Sequence, residues 1–315
     1  MTSEINQPLL GKMEDEVEEH YNIRSIYNDH SFCCLHLSYF PVAKMWICGD
    51  WICSLTVPII ASIIFLITAL VCLYDIYYYI DDILIKYLLI GIFSFICLCV
   101  MFSYFSMICI GPGYLPFNYD VYKKTWDELC WEEKCNNFAS YYEQVEFARQ
   151  SKRPPRCCFS MLARRFVLRA DHFCDWTQTW IGLKNMRYFV LFTGYLTLYC
   201  LSWFGFHYWW VFSKPFTPFA WQRYISIAAG LIVVLFLSLA CKFFLRSSSS
   251  LIHNVTALER LKGLNTSMYD KGCFNNCSEV CGKKKFVCLW FIPFFYFKPL
   301  SNGLYEIVEN NSVVN

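Results

Sequence analysis

The sequence predicts an all-α integral membrane protein with four transmembrane helices and a cytosolic loop between spans two and three that holds the candidate chemistry. Three observations carry this. Hydrophobic residues make up 57% of the chain and charged residues 17%, where an average soluble domain has about 25% charged. The apolar residues fall in blocks rather than alternating. Twenty-four of the 27 Lys and Arg lie on one side of those blocks. The net charge is only +2, so no global basic bias points to nucleic acid or another polyanion.

A spanning helix needs about 20 mostly apolar residues. Four stretches meet this: Trp51 to Leu73, Tyr87 to Ile110, Phe189 to Phe212 and Tyr224 to Leu245. Within them the one Asp, Glu, Lys or Arg is Lys242, and His207 is a lone polar residue near the far end of the third. A fifth apolar run, Phe286 to Phe297, is too short to span and contains Pro293. It is expected at the interface or packed against the bundle. By the positive-inside rule, both termini and the long middle loop are cytosolic. The first 20 residues are acidic and polar, so no cleavable signal peptide is expected. The organisation is then a cytosolic N-terminal tail (1–50), spans one and two (51–110), a cytosolic module (111–188), spans three and four (189–245) and a cytosolic C-terminal region (246–315).

Nineteen cysteines on a mostly cytosolic and intramembrane chain imply thiol chemistry, metal, lipidation or packing rather than disulfides. Cys157 and Cys158, Cys130 and Cys135 are alternatives for metal or surface thiols. Cys273, Cys277 and Cys281 recur every four residues and can share a helical face. Cys33 and Cys34 are a lipidation site or chance.

The most distinctive segment of the module is Asp171-His172-Phe173-Cys174. A cysteine attacks as thiolate, so its ordinary pKa of about 8.5 must be lowered. His172 can take the thiol proton and Asp171 can orient the imidazole. An Asp-His-x-Cys also arises by chance in a Cys-rich chain. Its place some 15 residues before a span puts the nucleophile at the membrane surface. Asp175, next in sequence, should by its charge raise the thiol pKa.

Around this segment the chain resembles the DHHC-type protein S-acyltransferases, four-span enzymes with a cytosolic cysteine-rich-type catalytic loop. The resemblance runs from Arg153-Pro154-Pro155-Arg156, through Val167-Leu168-Arg169-Ala170-Asp171-His172-Phe173-Cys174-Asp175-Trp176, to Gly182-Leu183-Lys184-Asn185-Met186-Arg187-Tyr188-Phe189, without a gap. Gly111-Pro112-Gly113 is similar to the family's turn after span two. Asn254-Val255-Thr256-Ala257-Leu258-Glu259 is similar to its Thr-Thr-x-Glu motif, with the second Thr replaced. Tyr269 to Asn276 is similar to its C-terminal Asn motif.

The resemblance implies transfer of a long-chain, palmitoyl-like acyl group from acyl-CoA through Cys174 to cysteines of cytosol-facing proteins near the membrane. It implies Asp171, His172 and Cys174 as catalytic. Trp176 would line the entrance, and Tyr199 would stand in the acyl cavity, with core packing as its alternative. Arg153 and Arg156 would meet the CoA phosphates, or else lipid head groups. Thr256 and Glu259 would dock the tail, and Asn276 would be structural. Acyl-CoA, substrate proteins and membrane lipid are the expected partners. An accessory subunit could complete the module, and no nucleic acid is expected. A Golgi or endoplasmic-reticulum membrane is the expected location.

The family's two zinc ions set a discrepancy. The ligand positions carry Glu146, Arg149, Phe159, Ser160, Ala163, Phe166, Phe173 and Trp180, none of them Cys or His. A closed structural zinc site needs about four N or S ligands. No zinc is therefore expected there, and no cofactor beyond the acyl-CoA co-substrate. An apolar core would replace the metal. Two alternatives stand beside the acyltransferase: a dead enzyme or scaffold of the same fold, and a channel or carrier. The latter is disfavoured by spans that lack buried charge.

Overall fold

The computed structural model describes residues 56–114, 155–160, 165–213, 221–264, 266–301 and 303, and the backbone of 28–32, 35–40, 45–48 and 51–52. Those last segments are strands β1 (Asn28–Phe32), β2 (Leu35–Phe40), β3 (Met45–Cys48) and β4 (Trp51–Ile52). They pair in order as an antiparallel meander. Trp51 and Ile52 are thus strand residues, and the first helix begins later than the apolar run.

Four helices follow that are long and apolar enough to cross a membrane. Helix α1 is Thr56–Tyr79 and α2 is Ile83–Ile110. Helix α3 is Met186–Ser213 and α4 is Trp221–Ile252. Pro58 sits in the first turn of α1, where a missing N–H costs nothing. Asp82 caps α2 by accepting from the Ile85 N–H at 2.9 Å. Along α1, Ala69, Cys72 and Ile76 face the bundle while Ile63, Ile67 and Leu70 are exposed. Such an apolar outer face suits lipid, not water.

Hydrophobicity alone misplaces several helix ends, and one of them matters. Helix α1 continues past Leu73 to Tyr79 and carries Asp75 with it. Asp75 is buried, with its Oδ2 3.0 Å from His207 Nε2 of α3 and accepting a 2.8 Å hydrogen bond from Ser226 of α4. The spans do hold a buried ionisable side chain, contrary to the sequence reading. It escaped notice because the apolar run fades one turn before the helix ends.

The module caps the end of the bundle where α1 and α3 start and α2 and α4 finish. Helix α2 stops at Gly111, whose φ of 69° is the left-handed value that glycine accepts. Two short hairpins form its scaffold. In one, β5 (Cys158–Ser160) pairs with β6 (Arg165–Val167); in the other, β7 (His172–Cys174) pairs with β8 (Thr179–Ile181). The turn after α2 is stitched to them: the Leu168 N–H donates to Gly113 O and the Lys184 N–H to Pro112 O. A Cβ on Gly182 would meet the Pro112 and Leu168 carbonyls at 2.8 and 2.9 Å, so only glycine fits this crossing. One apolar core runs through Met107 and Ile108 of α2, Phe166, Ile181 and Leu183 of the module, and Phe189 of α3. The module is therefore an extension of the bundle core.

The C-terminal region returns to the same end. It contains α5 (Ala257–Leu261), α6 (Cys273–Cys281) and a 3-10 helix, Lys284–Phe291. Arg187, buried in the first turn of α3, donates to the carbonyls of Leu289, Trp290, Ile292 and Phe295. Phe294 packs on Phe102 of α2, centroids 4.9 Å apart. The short apolar run is thus clamped against the bundle.

Candidate active site

The three chemical residues converge on β7. Asp171 enters the hairpin through its N–H to Ile181 O. Its carboxylate is buried and held at both oxygens. Oδ2 lies 2.8 Å from His172 Nδ1, and Oδ1 accepts the Ala257 N–H at 2.9 Å. The second contact comes from the start of α5, which Thr256 and Glu259 organise as a reciprocal capping box. Burial would push the Asp171 carboxyl up, but the His172 hydrogen bond and charge and the Ala257 N–H outweigh it and hold it low.

Burial would likewise lower His172, yet its hydrogen bonds to Asp171 and Cys174 raise it to about 9. For Cys174, burial alone would raise the thiol. Hydrogen bonds from His172 and from Thr177, with the imidazole's charge, bring it below its ordinary value. The geometry favours a thiolate–imidazolium pair near neutrality. Asp175, next to the nucleophile, is exposed and lines the mouth of the cavity described below. Thr177 was not singled out from the sequence. Its signal is the tight turn 174–177, in which its N–H also reaches Cys174 O at 3.2 Å.

Cys174 and Trp176 stand at the mouth of a cavity of about 270 Å³ that runs between the four spans. Its walls are almost wholly apolar, among them Phe65, Val100, Phe192, Leu196 and Phe236. Trp176 is half-exposed, its ring 5.9 Å from Phe236 of α4, and its carbonyl accepts from Tyr104 Oη of α2 at 2.7 Å. Tyr199 lies at the deep end, where its hydroxyl donates to Thr68 Oγ1 of α1 at 2.8 Å. Phe65 and Phe93 flank its ring at 4.8 and 5.3 Å. Thr68 and Tyr104 carry no sequence signal, because their roles depend on which spans are neighbours.

Arg156 calls for a correction. Its side chain is buried against Glu259 (Nε to Oε1 2.7 Å, Nη2 to Oε2 3.1 Å) and it donates to Asn254 Oδ1 and O. Its guanidinium also lies 4.4 Å over the Tyr269 ring. It is a structural clamp and faces no phosphate. Arg153 lies outside the described residues. Asn254, with φ 51° after α4, is the hub of this network. It also accepts from Arg169 and donates to Tyr269 O and Glu279 Oε2. Asn276 is fully buried, donates to Ile252 O and Asp270 Oδ1, and accepts from Lys271 N–H.

The residues present do not fit zinc. Phe159 stands directly across from Phe166, and Phe173 across from Trp180. The second pair meets edge to face, centroids 6.0 Å apart. These side chains offer a metal no lone pair, and Ser160, also buried, offers a poor one. Glu146, Arg149, Ala163 and the Cys130–Cys135 pair lie outside the described residues.

Residues 139–264 match the DHHC palmitoyltransferase family model. Among similar proteins, probable protein S-acyltransferase 12 of Arabidopsis thaliana is 26% identical over 66% of this chain and 73% of its own length. Palmitoyltransferase ZDHHC15A of Danio rerio is 29% identical over 45% of each chain. Palmitoyltransferase ZDHHC15 of Homo sapiens is 29% identical over 45% of this chain and 44% of its own. The matched span contains both the Asp171–Cys174 hairpin and the α5 cap that holds Asp171 from behind, and over that span the chain is similar to the DHHC-type protein S-acyltransferases.

Proposed function

We propose that the chain moves a long-chain acyl group from acyl-CoA to cysteines of cytosol-facing proteins, through an acyl-Cys174 intermediate. The observation that carries this is the placement of the Asp171–His172–Cys174 set at the mouth of an apolar cavity among the spans. His172 takes the proton of the Cys174 thiol. The thiolate attacks the thioester carbonyl, and the CoA sulfur leaves with the proton from His172. A substrate thiol then gives its proton to His172 and attacks the acyl-enzyme, and Cys174 leaves as thiolate. The acyl chain lies in the cavity, where each methylene contributes about 0.8 kcal/mol. The Thr68–Tyr199 pair closes the floor, and Trp176 lines the entrance. Both termini and the module face the cytosol, by the distribution of Lys and Arg.

We propose further that the module works without zinc, its β7–β8 hairpin held by the cross-strand Phe173–Trp180 pair. The test is transfer from radiolabelled palmitoyl-CoA to a peptide with a membrane-proximal cysteine, in detergent micelles containing a chelator. Hydroxylamine-labile label on the peptide is expected with wild type and absent with Cys174→Ala and His172→Ala. Wild-type protein that binds acyl-CoA but carries no label would favour the same fold acting as a scaffold.

A further inference from the structure

Beyond the Thr68–Tyr199 pair the bundle does not end in plain hydrocarbon packing. One turn further along α3, Trp203 is fully buried, and its indole N–H donates to the Thr68 carbonyl at 3.1 Å. On the other side of that indole lies His207, stacked at 3.5 Å between centroids and 10° between planes. His207 in turn abuts Asp75 of α1 at 3.0 Å, and Asp75 accepts from Ser226 of α4 at 2.8 Å. Gly230 of α4 leaves room for this stack, since a Cβ there would approach the Trp203 ring at 3.2 Å. A polar relay thus runs from the cavity floor to a clasp of three helices. Asp75, His207 and Ser226 are not among the residues that line the cavity.

Buried polar and ionisable side chains are costly inside a membrane and call for a reason. Asp75 is 19 residues into α1 and Ser226 five residues into α4, so the clasp lies at the end of the bundle away from Cys174. We propose that Asp75, His207 and Ser226 are positioning residues that hold Trp203 upright beneath Thr68, and so set the depth of the cavity and the longest acyl chain it accepts. The inference rests on the acyl-transfer reading above. Loss of the His207 ring or of its Asp75 anchor leaves Trp203 backed by a void. The indole then tilts, Thr68 loses its support, and the floor drops.

The test is a competition between palmitoyl-CoA and stearoyl-CoA for acylation of Cys174 in the purified full chain, read as the ratio of the two acyl-enzyme masses. Asp75→Ala and His207→Ala are expected to raise the stearoyl-to-palmitoyl ratio by about fourfold, the equivalent of one further buried methylene. Asp75→Asn keeps the size of the side chain and an acceptor for the Ser226 hydroxyl, and is expected to keep the wild-type ratio. Ser226→Ala removes one hydroxyl and should move the ratio the same way by about twofold. It serves if the larger truncations do not fold. Ratios unchanged in every variant that folds would overturn the clasp while leaving acyl transfer intact. An Asn variant that shifts as far as Ala would overturn its geometric basis. Wild type that takes up neither chain would sink the acyl-transfer reading itself.

Discussion

Cys174 owes its activation in this account to two neighbours. His172 supplies charge and a hydrogen bond, and Thr177 supplies further hydrogen bonds from the turn behind the sulfur. Replacing Thr177 by Val removes a donor at nearly constant shape. Thioester formation should slow about fivefold at neutral pH, the worth of roughly one hydrogen bond, and recover as the pH rises. The pH dependence has a definite sign. The folded pKa of His172 is raised to about 9 from an ordinary 6.5. Its contribution to stability is therefore complete below about pH 6.5 and is lost as the pH climbs through 9. The lowered Cys174 thiol should make iodoacetamide alkylation reach its plateau at a lower pH than an ordinary thiol does. In His172→Ala the same curve should rise steadily with pH, as an ordinary thiol does. A wild-type curve with that rise would remove the ion pair from the account.

At the scale of elements, the decisive piece is α5, five residues long and remote in sequence from the motif it serves. Its first N–H fixes Asp171. Ala257→Pro is a clean probe, because proline is tolerated at the first helical position and the preceding Thr256 already has φ −78° and ψ 160°. The substitution deletes only the donor to Asp171. Acylation should fall about tenfold and the melting temperature should drop by a few degrees, since a hydrogen bond to a charged group is worth about 1.5–3 kcal/mol. Glu259→Ala does more. It leaves the buried Arg156 unpaired and opens the cap, and should destabilise by about 3–5 kcal/mol in a thermal or denaturant melt. The β7–β8 hairpin makes a third test. Phe173→Ala should cost about 1–2 kcal/mol through the lost pairing with Trp180 and lost burial. A chelator should leave the melting curve of the wild type unmoved. A large drop on chelation would mean that metal is held somewhere in the chain.

For the whole molecule, what the sequence discloses follows its range of interaction. The four spans are legible because twenty apolar residues in a row have few other fates. The Asp171-His172-x-Cys174 set is legible because neighbours in sequence stay neighbours on a hairpin. The residues that complete the site are not: Thr68 matters only once α1 is known to meet α3, and Tyr104 and Asn254 only once α2 and α4 are known to meet the module. Arg156 misled because a cation beside a predicted acyl-CoA site suggests phosphate. Its partner Glu259 is 103 residues away, and pairing at that distance leaves no local pattern. Asp75 lies past Leu73, where the apolar run ends but helix α1 continues. The central claim is that a thioester forms at Cys174 in a module without zinc. The direct measurement is a single turnover with palmitoyl-CoA on chelator-treated protein, with the acyl mass mapped to a peptide and total zinc counted on the same sample. The account predicts a palmitoyl group on the peptide holding Cys174, removed by hydroxylamine, at far less than one zinc per chain. Label on other cysteines alone, or acylation of Cys174 that appears only when zinc is restored, would contradict it.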